Sequence, residues 1–160
     1  MRKFLYLFVL ALIAIDQLSK WYAEGNLPFH QSVEILPFFS LYLTYNTGVA
    51  FSFLSGVGST GLVLLTLAIT GFMLFLWRRV PADQQLASLG FALVIAGALG
   101  NLIDRVTQGH VIDFFLFHTQ TWAFAVFNVA DSYITVGAIA IVIEELLLLR
   151  SKSSKSEPDS

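Results

Sequence analysis

The sequence has no cysteine and few charged residues, and both absences restrict what the protein can be. Without cysteine it can have no disulfide, no thiolate zinc site and no cysteine nucleophile. Only 12% of the 160 residues are charged, whereas an average soluble domain is roughly 25% charged. The formal net charge of −2 offers no basic surface for a nucleic acid. This composition argues against a soluble enzyme and favours a small polytopic membrane protein.

Long apolar runs accompany the low charge, because 56% of the residues are hydrophobic. A helix needs about 20 mostly apolar residues to cross the hydrocarbon core of a bilayer. Four segments meet this requirement, and we predict transmembrane helices at about 4–22, 61–77, 86–103 and 130–149. The first helix could instead be a cleavable signal peptide, but it offers no A-x-A-like cleavage site, so we expect it to be retained.

The segment 23–60 is rich in β-branched and aromatic residues and is interrupted by Pro37, which predicts short strands. The predicted fold class is an all-α polytopic membrane protein, with four transmembrane helices and a small periplasmic β-sheet between the first and second helices. Residues 1–150 are expected to form one domain. The Ser/Lys-rich residues 151–160 are expected to form a disordered cytoplasmic tail.

Basic residues predict the orientation, because Lys and Arg concentrate on the cytoplasmic side of a membrane. Seven of the nine lie at one set of span ends: Arg2, Lys3, Arg78, Arg79, Arg150, Lys152 and Lys155. Both termini are therefore predicted to be cytoplasmic. The segments 23–60 and 104–129 contain a single basic residue, Arg105, and are predicted to face the periplasm or the exterior.

Four aspartates lie at or near the predicted outer ends of the spans, where ionisable residues are candidates for function. Asp16 and Lys20 are four residues apart and can pair along one helix face, which indicates a structural role. Asp104 and Arg105 end the third span and are interpreted as an anchoring pair. The three histidines are too scattered to suggest a zinc site.

Asp113 and Asp131 are the strongest candidates for chemistry. Asp113 lies in a strand-like apolar stretch without a local ion partner, and Asp131 falls in the first turn of a helix that Asn128 can cap. The third and fourth helices are antiparallel, so the two carboxylates can meet. Carboxylates that share a site also share a proton, which provides the acid and the base of aspartic proteolysis. By itself, Asp131 is equally well explained as a helix-start residue.

A non-enzymatic alternative uses the same acids as the relay of a proton-coupled carrier. Carriers usually bind their substrates near the membrane midplane, between internal repeats. Here the four aspartates lie at one face and the sequence shows no repeat, which favours the peptidase.

Five motifs carry a resemblance to a known family. They are D-Q-x-x-K at 16–20, N-x-G-x-A-F at 46–51, G-x-x-G-N-x-x-D-R at 97–105, V-x-D-F at 111–114 and F-N-x-A-D at 127–131. In this order, and on four spans, they resemble the lipoprotein (type II) signal peptidases. Val49 stands where the family most often has Ala, and Ala96 where a further Gly is common.

The resemblance implies an aspartic endopeptidase of the bacterial inner membrane, with Asp113 and Asp131 as the catalytic pair. Positions expected to line or support the site are Asp16, Lys20, Asn46, Gly97, Asn101, Asp104, Arg105, Asn128 and Ala130. The implied substrate is a diacylglyceryl-prolipoprotein, cut on the amino side of its lipidated cysteine. No metal or organic cofactor is implied. Besides the substrate the expected partner is membrane lipid, and a monomer is expected to suffice.

Two details of the site follow as hypotheses. Asp113 lies among Val, Ile and Phe, so burial should favour its neutral form and make it the initial acid, with Asp131 as the base that activates water. Asn46 and the segment 51–54 are expected to line the substrate entrance, where Phe51, Phe53 and Leu54 would offer an apolar lip.

Overall fold

The computed structural model describes residues 2–48 and 58–155, which form four helices and three strands. In chain order these are α1 (Arg2–Asn26), β1 (Ser32–Leu36), β2 (Phe39–Asn46), α2 (Gly58–Arg79), α3 (Gln85–Gln108), β3 (Val111–Phe117) and α4 (Val129–Lys155). All four helices are long and apolar enough to cross a membrane. The predicted fold class is therefore confirmed, and the chain is a multi-pass membrane protein.

The helices extend beyond the apolar runs from which they were predicted. At the end of α1, the side chain of Asn26 donates a hydrogen bond to the carbonyl oxygen of Tyr22 at 2.8 Å. Helix α4 continues to Lys155, so residues 151–155 are helical and the expected disordered tail cannot begin at residue 151. This segment contains only Ser and Lys, with no Gly or Pro to end the helix.

Helix α3 lies at the centre of the bundle and packs against the other three helices. Its most apolar stretch is 61% buried, compared with 11–22% in α1, α2 and α4. The outer helices expose large apolar side chains, among them Leu10, Phe72 and Ile139. Such surfaces suit contact with lipid and not with water.

Close packing of α3 on α4 depends on glycine. A Cβ atom on Gly97 would lie 2.3 Å from the carbonyl oxygen of Ala130, and one on Gly90 would lie 2.7 Å from that of Gly137. Because these obstacles are backbone atoms, a side chain at either position would force the helices apart. Gly97 and Ala130 are thus the contact that sets how deeply the start of α4 approaches α3.

Gly97→Ala should therefore destabilise the bundle, by about 1–3 kcal/mol as is usual for overpacking. Thermal unfolding of the purified protein measures the effect. Gly71→Ala is the matched control, since a Cβ atom at Gly71 in α2 meets no atom of the described residues within 4 Å. That control should be neutral or slightly stabilising, because Ala is the better helix former. Equal melting temperatures for the two variants would contradict the packing argument.

The three strands form one antiparallel sheet in the order β1-β2-β3. The expected strands on either side of Pro37 are β1 and β2. Strand β3 comes from the segment between α3 and α4, and Gly109, with φ of 79°, makes the left-handed turn between α3 and this strand. The β2–β3 register places Asp113 opposite Thr44, after an irregularity between Leu41 and Thr44. The sheet thus delivers Asp113 to the end of the helix bundle.

Candidate active site

Asp113 lies inside β3 with 1% of its surface exposed. Because side chains alternate along a strand, Thr44 and Asn46 of β2 lie on the same face, and Asn46 is within reach of Asp113. The Asn46 side chain donates to Oδ2 of Asp113 at 2.9 Å, and the Asn128 side chain donates to Oδ1 at 2.7 Å. Both carboxylate oxygens are therefore held by amides from two other elements.

Asp131 lies in the first turn of α4, as predicted. The side-chain oxygen of Asn128 accepts the backbone N–H of Asp131 at 3.0 Å, and Oδ2 of Asp131 accepts the backbone N–H of Asn128 at 3.1 Å. This reciprocal arrangement is a capping box, which satisfies two backbone donors at the helix start. The side chain of Asn101 on α3 donates to the remaining oxygen of Asp131 at 2.8 Å.

Asn128 therefore joins the two candidate carboxylates. Its side-chain nitrogen bonds Asp113 and its backbone nitrogen bonds Asp131. The same side-chain nitrogen also lies 3.1 Å from the side-chain oxygen of Asn101. A fully buried asparagine at the start of α4 thus fixes both aspartates from one position.

A buried ionic cluster supports this arrangement from α1. Lys20 is 1% exposed, and its Nζ lies 2.9 Å from Asp16 and 2.7 Å from Asp104. The same Nζ donates to the side-chain oxygen of Asn101 at 2.9 Å. Oδ1 of Asp16 accepts the backbone N–H of Ala130 at 2.9 Å, which ties α1 to the start of α4.

The predicted Asp16–Lys20 pair is confirmed, whereas the interpretation of Asp104 and Arg105 as a pair is wrong. Asp104 pairs with Lys20 instead. Adjacent residues of a helix point in different directions, so Asp104 turns toward α1 and Arg105 away from it. Nη1 of Arg105 donates to the backbone oxygen of Asn101 at 3.4 Å, and its buried Nε has no partner among the described residues.

Burial raises the pKa of Asp113 to about 6, since loss of hydration disfavours the charged carboxylate. The hydrogen bonds from Asn46 and Asn128 act in the opposite direction, and the nearby charge of Asp131 raises the pKa further. Asp113 therefore keeps its proton to a higher pH than an ordinary aspartate does, which is the direction that burial among apolar residues predicts.

Gln17 is a member of the cluster that the sequence did not mark as a site residue. Its side-chain nitrogen donates to Asp104 at 2.8 Å and lies 3.2 Å from both Asp16 and the carbonyl oxygen of Gly100. Its position within the D-Q-x-x-K motif is the sequence feature that could have identified Gln17 as a site residue. The entrance residues expected at 51–54 lie outside the described residues, and Asn46 is placed against Asp113 with its side-chain oxygen accepting the N–H of Gly48 at 2.8 Å.

Together, the four apolar helices and the linked carboxylates at one end of the bundle define a multi-pass membrane protein with a buried acidic site. Comparison with known proteins gives the family. The family model described as signal peptidase (SPase) II matches residues 8–147. The chain therefore belongs to the signal peptidase II family and is a peptidase, which favours that reading over the carrier.

Individual relatives agree with this assignment. The chain is 53% identical to the lipoprotein signal peptidase of Sinorhizobium fredii, over 94% of this chain and 89% of that protein. It is 49% identical to the lipoprotein signal peptidase of Mesorhizobium japonicum, over 95% of this chain and 90% of that protein. A solved structure described as a bacterial membrane enzyme superposes with a TM-score of 0.81 at 30% identity, covering 90% of this chain and 93% of the other.

Proposed function

We propose that the protein is an aspartic endopeptidase that removes the signal peptide of diacylglyceryl-modified prolipoproteins, cutting on the amino side of the lipidated cysteine. The observation that carries the aspartic mechanism is the pair of hydrogen bonds that Asn128 donates, one to Asp113 from its side chain and one to Asp131 from its backbone. Family membership and the names of the relatives support the lipoprotein substrate.

The mechanism uses a pair of carboxylates that holds one proton. Asp131 accepts a proton from the attacking water, while protonated Asp113 donates a hydrogen bond to the scissile carbonyl. The water oxygen adds to the carbonyl carbon and the carbonyl oxygen takes the proton of Asp113, which gives a diol. The diol returns a proton to Asp113 as the C–N bond breaks, and the peptide nitrogen leaves with the proton that Asp131 took from water. The raised pKa of Asp113 supports its assignment as the acid.

Placement in the inner membrane with both termini cytoplasmic is also part of this proposal. Lys and Arg concentrate on the cytoplasmic side of a membrane, and Arg78 and Arg79 lie in the last turn of α2. With the basic helix ends in the cytoplasm, the four aspartates would face the periplasm. A substrate anchored in the bilayer by a signal peptide and acyl chains can reach such a site without leaving the membrane.

Incubation of the purified protein with a synthetic precursor tests the function. One precursor carries the diacylglyceryl group on its cysteine, and a matched precursor carries an unmodified cysteine. We expect a shorter product from the first only, with the lipidated cysteine at its new amino terminus by mass spectrometry. Equal cleavage of both precursors, or cleavage at another bond, would contradict the proposed specificity.

The pH dependence of kcat/KM should be bell-shaped and set by the carboxylates. On the acidic limb the rate rises as the pair loses its first proton, and on the alkaline limb it falls as Asp113 ionises, with an apparent pKa of about 6. The sign follows from the mechanism, because only the singly protonated pair contains both an acid and a base. Initial rates between acidic and mildly alkaline pH measure both limbs.

The histidines need a control, because the pKa of an ordinary histidine is about 6.5 and lies close to this limb. His110 packs on Tyr45 with its ring centroid 4.1 Å away, and His118 bonds Ser40 at 2.7 Å. A double variant, His110→Gln with His118→Gln, should keep both limbs. If the folded double variant loses the alkaline limb, a histidine controls the proton and the assignment of Asp113 is wrong.

A further inference from the structure

The two candidate carboxylates border two cavities that differ in polarity. Asp131 borders a cavity of about 490 Å³, here called the aromatic cavity, whose walls include Phe117, Trp122, Phe124, Phe127 and Val136. Asp113 borders a smaller cavity of about 240 Å³, here called the polar cavity, with Thr44, Asn46 and Thr47 in its walls. The chain between Phe124 and Phe127 borders both, because Ala125 and Val126 line the polar cavity.

The aromatic cavity has little capacity to bind a peptide backbone. Its two hydroxyl groups already donate within α4, Ser132 to the carbonyl oxygen of Asn128 at 3.1 Å and Thr135 to that of Asp131 at 2.9 Å. Apart from the indole of Trp122, the described lining has no free side-chain donor for a peptide carbonyl. Burial of a peptide N–H or C=O in this cavity without a hydrogen-bond partner is unfavourable, whereas a hydrocarbon chain requires no hydrogen bond.

The walls of the aromatic cavity are held in place by the protein itself. The backbone N–H of Phe124 donates to the carbonyl oxygen of Phe117 at 2.8 Å, and the rings of Phe117 and Phe127 stack with centroids 5.8 Å apart. A preformed cavity lowers the entropy cost of binding. The aromatic cavity is also bounded by Val136, which is 55% exposed and lies on the apolar face that α4 presents to lipid. A chain from the bilayer can therefore enter it along α4.

We propose that the aromatic cavity binds one acyl chain of the lipid-modified cysteine and leaves the polar cavity to the peptide backbone. The inference rests on the proposed function, since it requires a lipidated substrate. In that substrate the acyl chains begin about seven bonds from the scissile nitrogen, beyond the cysteine side chain and the glycerol unit. A hydrocarbon site that touches Asp131 is within reach of such a chain, and its occupancy would orient the scissile carbonyl between the carboxylates.

Two precursors that differ only in acyl chain length test the proposal, compared in vesicles of the same lipid. Within each enzyme variant, the ratio of kcat/KM for the long-chain precursor to that for the short-chain precursor is measured. The native protein should favour the long chain by about tenfold or more, as hydrophobic pockets do when methylenes are added. Val136→Trp should fill the cavity and bring the ratio toward one. Ile139→Trp, at an equally exposed position outside the cavity, should leave the ratio and the activity unchanged.

Phe124→Ala removes a wall of the same cavity and provides a second route should Val136→Trp fail to fold. It too should lower the preference for the long chain. If either folded variant lowers kcat/KM equally for both precursors, the cavity holds a part of the substrate common to both and the proposal is wrong. A native enzyme that cleaves both precursors equally well also overturns it. Failure to cleave either precursor would instead contradict the proposed function.

Discussion

Asp113→Asn and Asp131→Asn should each abolish cleavage of the diacylated precursor. An asparagine can neither take the proton of a water molecule nor pass a proton to the leaving nitrogen, so either change removes half of the acid–base pair. Loss of one member of a catalytic unit commonly lowers kcat by roughly 10⁴-fold or more. Product formation over long incubations, measured on a gel and by mass spectrometry, gives an upper limit for the residual activity of each variant. Near-normal turnover in either purified variant would refute the assignment.

The fold of Asp113→Asn can be checked independently through pH. The pKa of Asp113 is raised to about 6, so between its ordinary pKa and this value the native state binds more protons than the unfolded state. Stability of the native protein should therefore fall as the pH rises through this window. The Asn variant has no carboxyl group to titrate at this position, so its stability should not fall in this way. The stability of the variant relative to that of the native protein should therefore increase from pH 4 to pH 7. Asn has one acceptor oxygen where the carboxylate has two, so the variant loses the hydrogen bond from Asn46 or the one from Asn128 at every pH.

Asp104→Asn distinguishes the catalytic pair from the ionic cluster. Asp104 is 1% exposed and bonded to Lys20 and Gln17, with no bond to Asp113 or Asp131 among those described. Its replacement should lower the melting temperature, whereas the protein that remains folded should keep most of the native turnover. Complete loss of turnover with an intact fold would show that the pair has been assigned to the wrong carboxylates.

Sequence pattern predicted the helices well because each is an apolar run long enough to cross a bilayer. Strands β1 and β2 were also accessible, since Pro37 separates two β-rich runs in a single segment. The membership of β3 in the same sheet was not, because its partner β2 lies on the other side of two helices in the chain. Pairing of β2 with β3 is what brings Asn46 to Asp113, so this bond could not be foreseen from spacing.

The site was predicted in its parts but not in its connections. Asn128 was expected to cap α4, and it does, but its second role as a donor to Asp113 depends on where β3 lies. Lys20 was expected to pair with Asp16 four residues away. Its shorter contact is with Asp104 on another helix, and that contact requires α1 and α3 to approach closely at Gly100, where a Cβ atom would lie 2.4 Å from Asp16.

Lys20→Met is expected to cause the largest loss of stability among single changes in the buried cluster. Lys20 lies between Asp16 and Asp104 at 2.9 and 2.7 Å, and all three side chains are buried. Removal of the cation leaves two buried carboxylates without the positive charge that lies between them. Loss of one partner of a buried ion pair typically costs about 3–5 kcal/mol. Cleavage should fall with stability, because Asp16 holds the start of α4 through the N–H of Ala130.

A second substitution separates the loss of charge balance from the loss of packing. In the Lys20→Met background, Asp104→Asn removes one of the two unpaired charges and should restore part of the melting temperature, although the same change destabilises the native protein. Residues in direct contact commonly show such coupling, at about 0.5–3 kcal/mol. Arg78→Met, at an exposed position at the end of α2, is the control and should change stability by no more than about 0.5 kcal/mol. If the effects of Lys20→Met and Asp104→Asn simply add, the cation does not stabilise the cluster through charge, and its role is limited to filling space between α1 and α3.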